Sequence, residues 1–341
     1  MQAIDSSFRD PSGYIFIKDN KFYRAVNNSY KENFDFFNSS GLYKKLLDKR
    51  QILSFNEVPQ TIKNSNEDIY KVIYPEQLRN VSYPYEWCFS QLKDAALLTL
   101  DIHEESLKHE MSLKDASAYN IQFHNGLPVM IDTLSFEKYK EGEPWIAYKQ
   151  FCQHFLAPIL LSTYVDIKSI KLLQLFIDGI SLDYVVKQLP FRSLFRPSVF
   201  MHIYLHAKAQ NRNSDKTKLN NKNISKVAIL GLIGSLRSLI SSLNWSPVGT
   251  EWGEYYSDTN YSEISMGKKH QIIGEIIDDL NPKILWDIGG NNGEFTRLAS
   301  NKGINSIVFD IDYAAIEKSY RRTIEDKEKN ISSFIMDFTN P

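Results

Sequence analysis

The sequence predicts an α+β region over residues 1–243, followed by an α/β unit built on a parallel sheet. Three patterns carry that expectation. Residues 283–297, KILWDIGGNNGEFTR, run from an apolar stretch through a glycine-rich turn into a helical pattern. Two further apolar runs, Ser306–Asp310 and Ile331–Met336, end at or just before an acid, as strands of an open parallel sheet do where they meet a ligand. Upstream, short alternating stretches give way to long amphipathic ones, so strands come first and helices after.

Residues 13–26 alternate and reverse at Lys18–Lys21, with Asp19-Asn20 as the hairpin corner. Residues 34–53 read as helix interrupted at Ser39-Ser40-Gly41, and a β-rich stretch ends near Tyr74. Tyr83-Pro84-Tyr85 predicts an extended crossing, because a residue before proline avoids the helical region. Over 86–110, Leu92, Ala95, Ala96, Thr99, Ile102 and Leu107 fall along one helical face. Tyr119–Phe123 and Pro128–Ile131 form a hairpin around Asn125-Gly126. Residues 145–188 are mostly helical and apolar, 211–226 a polar Asn/Lys-rich loop, and Val227–Leu243 an apolar helix. The stretch 244–262 reads as a linker, and Ile264–Leu280 as the helix ahead of the first parallel strand. The expected organisation is a small β-rich lobe (1–82), a mainly helical lobe (83–243), the linker (244–262) and a parallel-sheet domain (263–341).

Within the glycine turn, Gly289, Gly290 and Gly293 can take positive φ and admit a ligand where a Cβ would stand. Asn291 is the next most tolerant residue type there. Amides at the N-terminus of the following helix, expected over Glu294–Lys302, would face a ligand's negative end. A G-x-G-x-x-G fingerprint fails, since counting from Gly289 its positions fall on Asn291 and Glu294, and a P-loop fails for want of Gly-Lys-Ser/Thr. What fits is apolar-apolar-Asp287-x-Gly289-x-x-x-Gly293. It resembles motif I of class I S-adenosylmethionine-dependent methyltransferases, usually D-x-G-x-G-x-G, with Asn291 in place of the central glycine.

That resemblance implies a Rossmann-like fold and S-adenosylmethionine as cofactor. Asp310 lies 21 residues after Gly289, a spacing that suits a carboxylate receiving ribose hydroxyls. Asp312, two residues on and on the same side of an extended chain, is its rival. The resemblance also implies that Asp337 faces the adenine amino group. The expected cofactor set is therefore Asp287, Gly289, Gly290, Asn291, Gly293, Asp310, Asp312 and Asp337. In that family the sheet continues past the third strand, and the base and acceptor pocket follow there. The chain is thus expected to be the front part of a longer protein that holds the cofactor-binding half, with methyl acceptor and catalytic base unassigned.

A second constellation lies at 112–137, SLKDASAYNIQFHNGLPVMIDTLSFE, where Asn120 follows Asp115 by five residues and Asp132 follows by twelve more. In phosphoryl transfer one aspartate orients or deprotonates a hydroxyl, while an asparagine and a second aspartate hold Mg²⁺ against nucleotide phosphates. The spacing and the hairpin resemble protein-kinase-like phosphotransferases, with Tyr83–Glu86 as the hinge between lobes. The departures are specific. Leu113-Lys114 precedes Asp115 in place of His-Arg, and Ile131-Asp132-Thr133 stands for Asp-Phe-Gly. Neither a glycine-rich loop nor an ion-pairing lysine is assignable. The alternative function is an ATP-dependent phosphotransferase or nucleotide-binding pseudokinase in residues 1–243, with Asp115, Asn120 and Asp132 catalytic, Mg-ATP as ligand, and Asn120 and Asp132 on the metal.

The stretches SSFRDPSGYIF, SYPYEWCFSQLKDAALLTL, LKDASAYNIQFHNGLPVMIDTLSFE, GEPWIAYKQFCQHFLAP and WDIGGNNGEF extend a resemblance over nearly the whole chain. It is to bacterial methyltransferases grouped by similarity to a host-specific nodulation protein. It implies methyl transfer and names no acceptor.

Composition sets the bounds. With 40 Lys and Arg against 41 Asp and Glu, the net charge of −1 gives no electrostatic case for nucleic acid or an anionic membrane. Two cysteines, Cys88 and Cys152, fit a reducing cytoplasm and exclude a cysteine zinc site. The apolar run near Phe155–Leu161 is far too short for a membrane span, and the polar N-terminus reads as no signal peptide, so a cytoplasmic protein is expected. His202 and His206 are four apart but lack a third ligand and read as a packed or surface pair. His154 reads as a core-edge histidine and Trp145 as a packing anchor, while Lys168–Lys171 is too small a cluster to argue for RNA.

Overall fold

The structure, a computed structural model, describes residues 2–3, 10–59, 68–213, 223–250, 252–253 and 262–340. Part of the expected polar loop 211–226, and most of the second half of the expected linker, lie outside them.

The N-terminal sheet comprises β1 (Gln2–Ala3), β2 (Gly13–Lys18), β3 (Lys21–Asn27), β4 (Phe55–Val58) and β5 (Ile69–Pro75), in the order β1-β2-β3-β5-β4. The β2–β3 corner falls where expected, with Asp19 and Asn20 at φ 51° and 57°, the backbone a two-residue hairpin of this hand requires. Between β3 and β4 run α1 (Lys31–Ser39) and α2 (Leu42–Asp48), broken at Gly41, whose φ of 80° no helix tolerates.

The expected helix over 86–110 begins only at Phe89, as α3 (Phe89–Lys108). Pro84–Glu86 forms a separate 3₁₀ turn, and Trp87 and Cys88 stay extended, so the chain crosses before it coils. The side chain of Gln91 then accepts the Cys88 N–H at 2.9 Å and closes the helix start. Four short strands follow: β6 (Met111–Leu113) pairs with β9 (Phe136–Lys138), and β7 (Ile121–His124) with β8 (Leu127–Met130) about Asn125-Gly126. The apolar stretch beyond breaks into α4 (Tyr148–Phe151), α5 (Ala157–Tyr164), α6 (Leu172–Leu175), α7 (Leu182–Gln188), α8 (Pro197–Val199) and α9 (His206–Asn213), joined by 3₁₀ and π turns. The long helix α10 (Lys226–Ser242) lies against α3.

The C-terminal unit starts with α11 (Glu263–Leu280) and holds β10 (Ile284–Ile288), α12 (Thr296–Ser300), β11 (Asn305–Asp310), α13 (Tyr313–Glu325) and β12 (Ile331–Ile335). The three strands are parallel in the order β10-β11-β12. The helix expected from Glu294 starts two residues late, because Gly293 at φ 78° keeps 291–295 in turns. Among the described residues β10 pairs with β11 alone. Its Ile284, Trp286 and Ile288 are 52%, 61% and 58% exposed, one pleat face of a free edge.

One hydrophobic core runs through both regions, joining Trp87, Leu92 and Phe123 to Val308, Tyr320 and Phe334. Polar ties reinforce it. Glu317 accepts from Ser90 N and Oγ at 3.0 and 2.5 Å, Gln91 Nε2 donates to Ser333 O at 3.0 Å, and the Tyr320 hydroxyl donates to Asp94 at 2.8 Å. The stretch 263–340 is therefore packed as part of the same body as α3. Among the described residues no helix is long and apolar enough to cross a membrane.

Candidate functional site

The C-terminal ends of β10 and β11 and one face of α11 enclose a cavity of about 590 Å³. Asp287, Gly289, Gly290, Asn291 and Asp310 line it, together with Ile273 and Ile277 of α11, Trp252 and Phe295. Five of the eight cofactor residues expected from sequence thus share one opening, at the strand ends where open α/β sheets bind ligands.

What Gly289 contributes is space. Its φ is 71°, and nothing lies within 4 Å of where a Cβ would stand. Gly290 is small for a different reason, since a Cβ there would meet Asp287 Cγ at 2.7 Å. A Cβ on Gly293 would meet Val308 Cγ2 at 2.8 Å, so that glycine lets the turn pack on the sheet.

The amides of the turn correct the sequence expectation. Gly289 and Gly290 both donate to Phe309 O, at 2.8 and 3.1 Å. Asn291 N donates to Asp310 Oδ2 at 2.8 Å, Asn292 N to Asn291 Oδ1 at 2.9 Å, and Gly293 N to Gly290 O at 2.9 Å. These donors hold the shape of the turn and are not left bare for a ligand. Five-residue α12 starts only after the turn.

Asn291 is explained by the same geometry. Its φ of 51° is left-handed, which asparagine tolerates better than most residues. Its Nδ2 donates to Trp252 O at 2.7 Å, which ties the turn to the segment ahead of α11.

The two rival aspartates separate. Asp312 caps α13, accepting from Ala314 N and Ala315 N at 2.8 and 3.1 Å, and it also receives Thr250 Oγ1 and Trp252 N at 2.9 and 3.0 Å. Asp310 lines the cavity. Each of its oxygens takes one backbone N–H, from Asn291 and Asp312, which leaves acceptor capacity for a ligand hydroxyl. Burial pushes its carboxyl above the usual range, against the pull of those hydrogen bonds. Asp287 accepts from Thr296 Oγ1 at 2.5 Å. Asp337 is not brought to the cavity. It accepts from Thr339 N and Oγ1 in its own turn, which lowers its pKa.

Sequence reasoning missed Arg297, which is 3% exposed. Its guanidinium donates to Asn292 O and Gly293 O at 2.7 and 3.2 Å, to Ser319 O at 3.1 Å, and in a fork to both oxygens of Glu328 at 3.0 and 2.9 Å. It clamps the far side of the turn to α13 and the loop after it. A lone arginine in a helical pattern gave no signal of this.

The second constellation is only partly assembled. Asn120 Nδ2 donates to Ser135 Oγ at 3.2 Å, and that hydroxyl donates to Asp132 Oδ2 at 2.7 Å, so Asn120 and Asp132 meet on one serine. Asp115 instead caps its own loop, accepting Ser117 N at 2.9 Å. Asp132 Oδ1 faces Arg24 Nη1 of β3 at 2.6 Å, in a pair 12% exposed on each side. Arg24 also reaches Asp10 at 3.4 Å. Arg24 is therefore the cation that meets the Asp132 carboxylate. Among the described residues no cluster of His, Cys, Asp and Glu is built to hold a metal ion. His202 proves to be a packed histidine, bonded to the Tyr148 hydroxyl and to Ser235 at 2.7 and 2.9 Å.

No protein-family model matches the chain. Among solved structures, that of vaccinia related kinase 3 aligns with 68% of this chain and 84% of its own, at 11% identity and a TM-score of 0.33. Among curated proteins, the nodulation protein NoeA of Rhizobium meliloti (strain 1021) is 30% identical over 347 residues, 99% of this chain and 72% of that protein. On that identity and coverage, the chain belongs to the family of nodulation protein NoeA.

Proposed function

We propose that the cavity at the β10 turn binds S-adenosylmethionine and that the chain serves methyl transfer. The observation that carries this reading is the opening at Gly289, where nothing meets an added Cβ, onto a cavity walled by Asp287 and Asp310. Open space beside a left-handed backbone that favours glycine, with a carboxylate at the end of the next strand, fits an adenosine bearing ribose hydroxyls. When bound, the cofactor supplies a methyl group already activated on a sulfonium. The chain's own residues bind and orient. Asp310 accepts ribose hydroxyls, Asp287 sets negative charge on a wall facing a cationic ligand, and Ile273, Ile277 and Leu285 exclude water from one side. Arg297 keeps the turn in place from behind. No side chain here is assigned a proton to move.

Calorimetric titration of the full chain with S-adenosylmethionine tests the reading. Binding is expected, with at least a tenfold loss in Gly289→Val, whose side chain would enter the cavity on a left-handed backbone, and in Asp310→Asn, which keeps the side-chain volume but gives up one of the two backbone N–H bonds. No binding by the wild type, or unchanged binding in both variants, would end the proposal. The geometry does not favour the kinase-like alternative, because Arg24 already neutralises Asp132.

A further inference from the structure

A second groove of about 650 Å³, sharing no lining residue with the first, lies between the β7–β8 hairpin tip and the C-terminal end of α13. Three cations line it: Arg50, Lys327 and Lys329. Among the described residues none of the three is in an ion pair. Of the two carboxylates of the groove, Glu328 is paired with Arg297 at 2.9 Å, while Glu76 meets the ring of His124 at 3.2 Å and the Ser54 hydroxyl at 2.9 Å. In a chain whose net charge is −1 with histidines neutral, the three cations outweigh Glu76 and leave an excess of positive charge around one concavity.

The backbone sharpens the point. Arg50 and Lys327 have φ of 56° and 55°, in the left-handed region that long side chains seldom adopt. Each follows the cap of a helix, α2 or α13, where glycine or asparagine is the usual residue. A cation near a helix C-terminus gains a little from the macrodipole, about 0.3–1 kcal/mol, but a lysine one turn back would gain it without left-handed backbone. The wall between the cations is apolar, with Ile52, Leu53 and Val129 beneath and Leu127 and Ile324 at the rim.

We propose that this groove binds a small amphiphilic anion: a phosphate or phosphate-like head group held by Arg50, Lys327 and Lys329, with an apolar tail along the β8 side. The site is separate from the cavity at Gly289 and stands whether or not that cavity binds S-adenosylmethionine.

Calorimetry on the full chain with octyl phosphate below its micelle concentration tests it, beside inorganic phosphate and octyl glucoside. Saturable binding of octyl phosphate is expected, at least tenfold tighter than either comparison compound. Arg50→Asn with Lys327→Asn, which suits the left-handed backbone at both positions, should weaken it at least tenfold. Absence of saturable binding, equal binding of octyl glucoside or of inorganic phosphate, or unchanged affinity in the double variant would overturn the proposal. Circular dichroism of the variant, expected to match the wild type, guards against a trivial loss. Were the double variant unfolded, Lys329→Glu alone decides: an affinity loss of at least tenfold upholds the site, and unchanged affinity overturns it.

Discussion

Asp132 and Asp310 are buried to the same degree, 9% and 8% exposed, and each follows or ends a strand and accepts two hydrogen bonds from the turns around it. Their surroundings differ in one respect. Asp132 faces the guanidinium of Arg24 at 2.6 Å, whereas among the described residues no cation pairs with Asp310, which faces a cavity. A buried carboxylate needs its charge answered. The chain answers Asp132 itself, with a pair that ties β3 to the turn after β8. It leaves Asp310 for something outside the chain, and burial raises that carboxyl's pKa accordingly.

The strongest way to break this contrast is Arg24→Ala. Removing one partner of a buried pair leaves an uncompensated charge, at about 3–5 kcal/mol. Urea unfolding at neutral pH should show that loss, and Arg24→Met with Asp132→Leu should recover most of it, since an apolar replacement of the whole pair is often neutral. A single-variant loss below about 1 kcal/mol would mean that Arg24 does not satisfy Asp132, and the kinase-like reading of that turn would regain its footing.

Acid acts with opposite sign on the buried histidines and on Asp310. His103 and His154 lie in the helical lobe, and burial holds their pKa values down to about 3 and about 4. A folded pKa below the unfolded value of about 6.5 means that the unfolded chain takes up more protons, so stability falls as pH drops from about 6.5 toward 4. The slope is roughly 1.4 kcal/mol per pH unit for each histidine in that window. Asp310 runs the other way, because its raised pKa favours the fold as pH falls through it and that contribution is lost as pH rises. Urea midpoints between pH 6.5 and 4.5 should therefore decline, and His103→Gln with His154→Gln should flatten the decline. An unchanged slope in that double variant would locate the acid sensitivity elsewhere.

The difference between the regions also marks what was legible in sequence. Hairpin corners at Asp19-Asn20 and Asn125-Gly126 were readable because a positive φ restricts residue type locally. Strands β10 to β12 were readable because each is an apolar run with its acid or turn beside it. Asp287, Gly289 and Asp310 lie within one strand–turn–helix–strand unit, so spacing alone brought them together. The meaning of Asp132 was not legible, since it depends on Arg24 from another sheet. Nor was the role of Asp312, whose type suits a ribose ligand and a helix cap equally well. The shared core between α3 and α13 was hidden for the same reason, as no local pattern shows which faces of distant helices meet.

The smallest effect concerns Asn291, where the turn departs from an all-glycine pattern. Asn291→Gly keeps the left-handed backbone and loses the bonds to Trp252 O and from Asn292 N, a net cost of about 0.5–1.5 kcal/mol each. Asn291→Ala loses the same bonds and adds a left-handed penalty of about 1–2 kcal/mol. Alanine should therefore be the worse variant in urea unfolding, by about 1 kcal/mol, with faster amide exchange at Trp252 in both. If the two variants unfold alike, backbone conformation at 291 is not what selects asparagine. If glycine matches the wild type, the tie to Trp252 contributes nothing, and the wall of the cavity on that side is held by Asp312 and Thr250 instead.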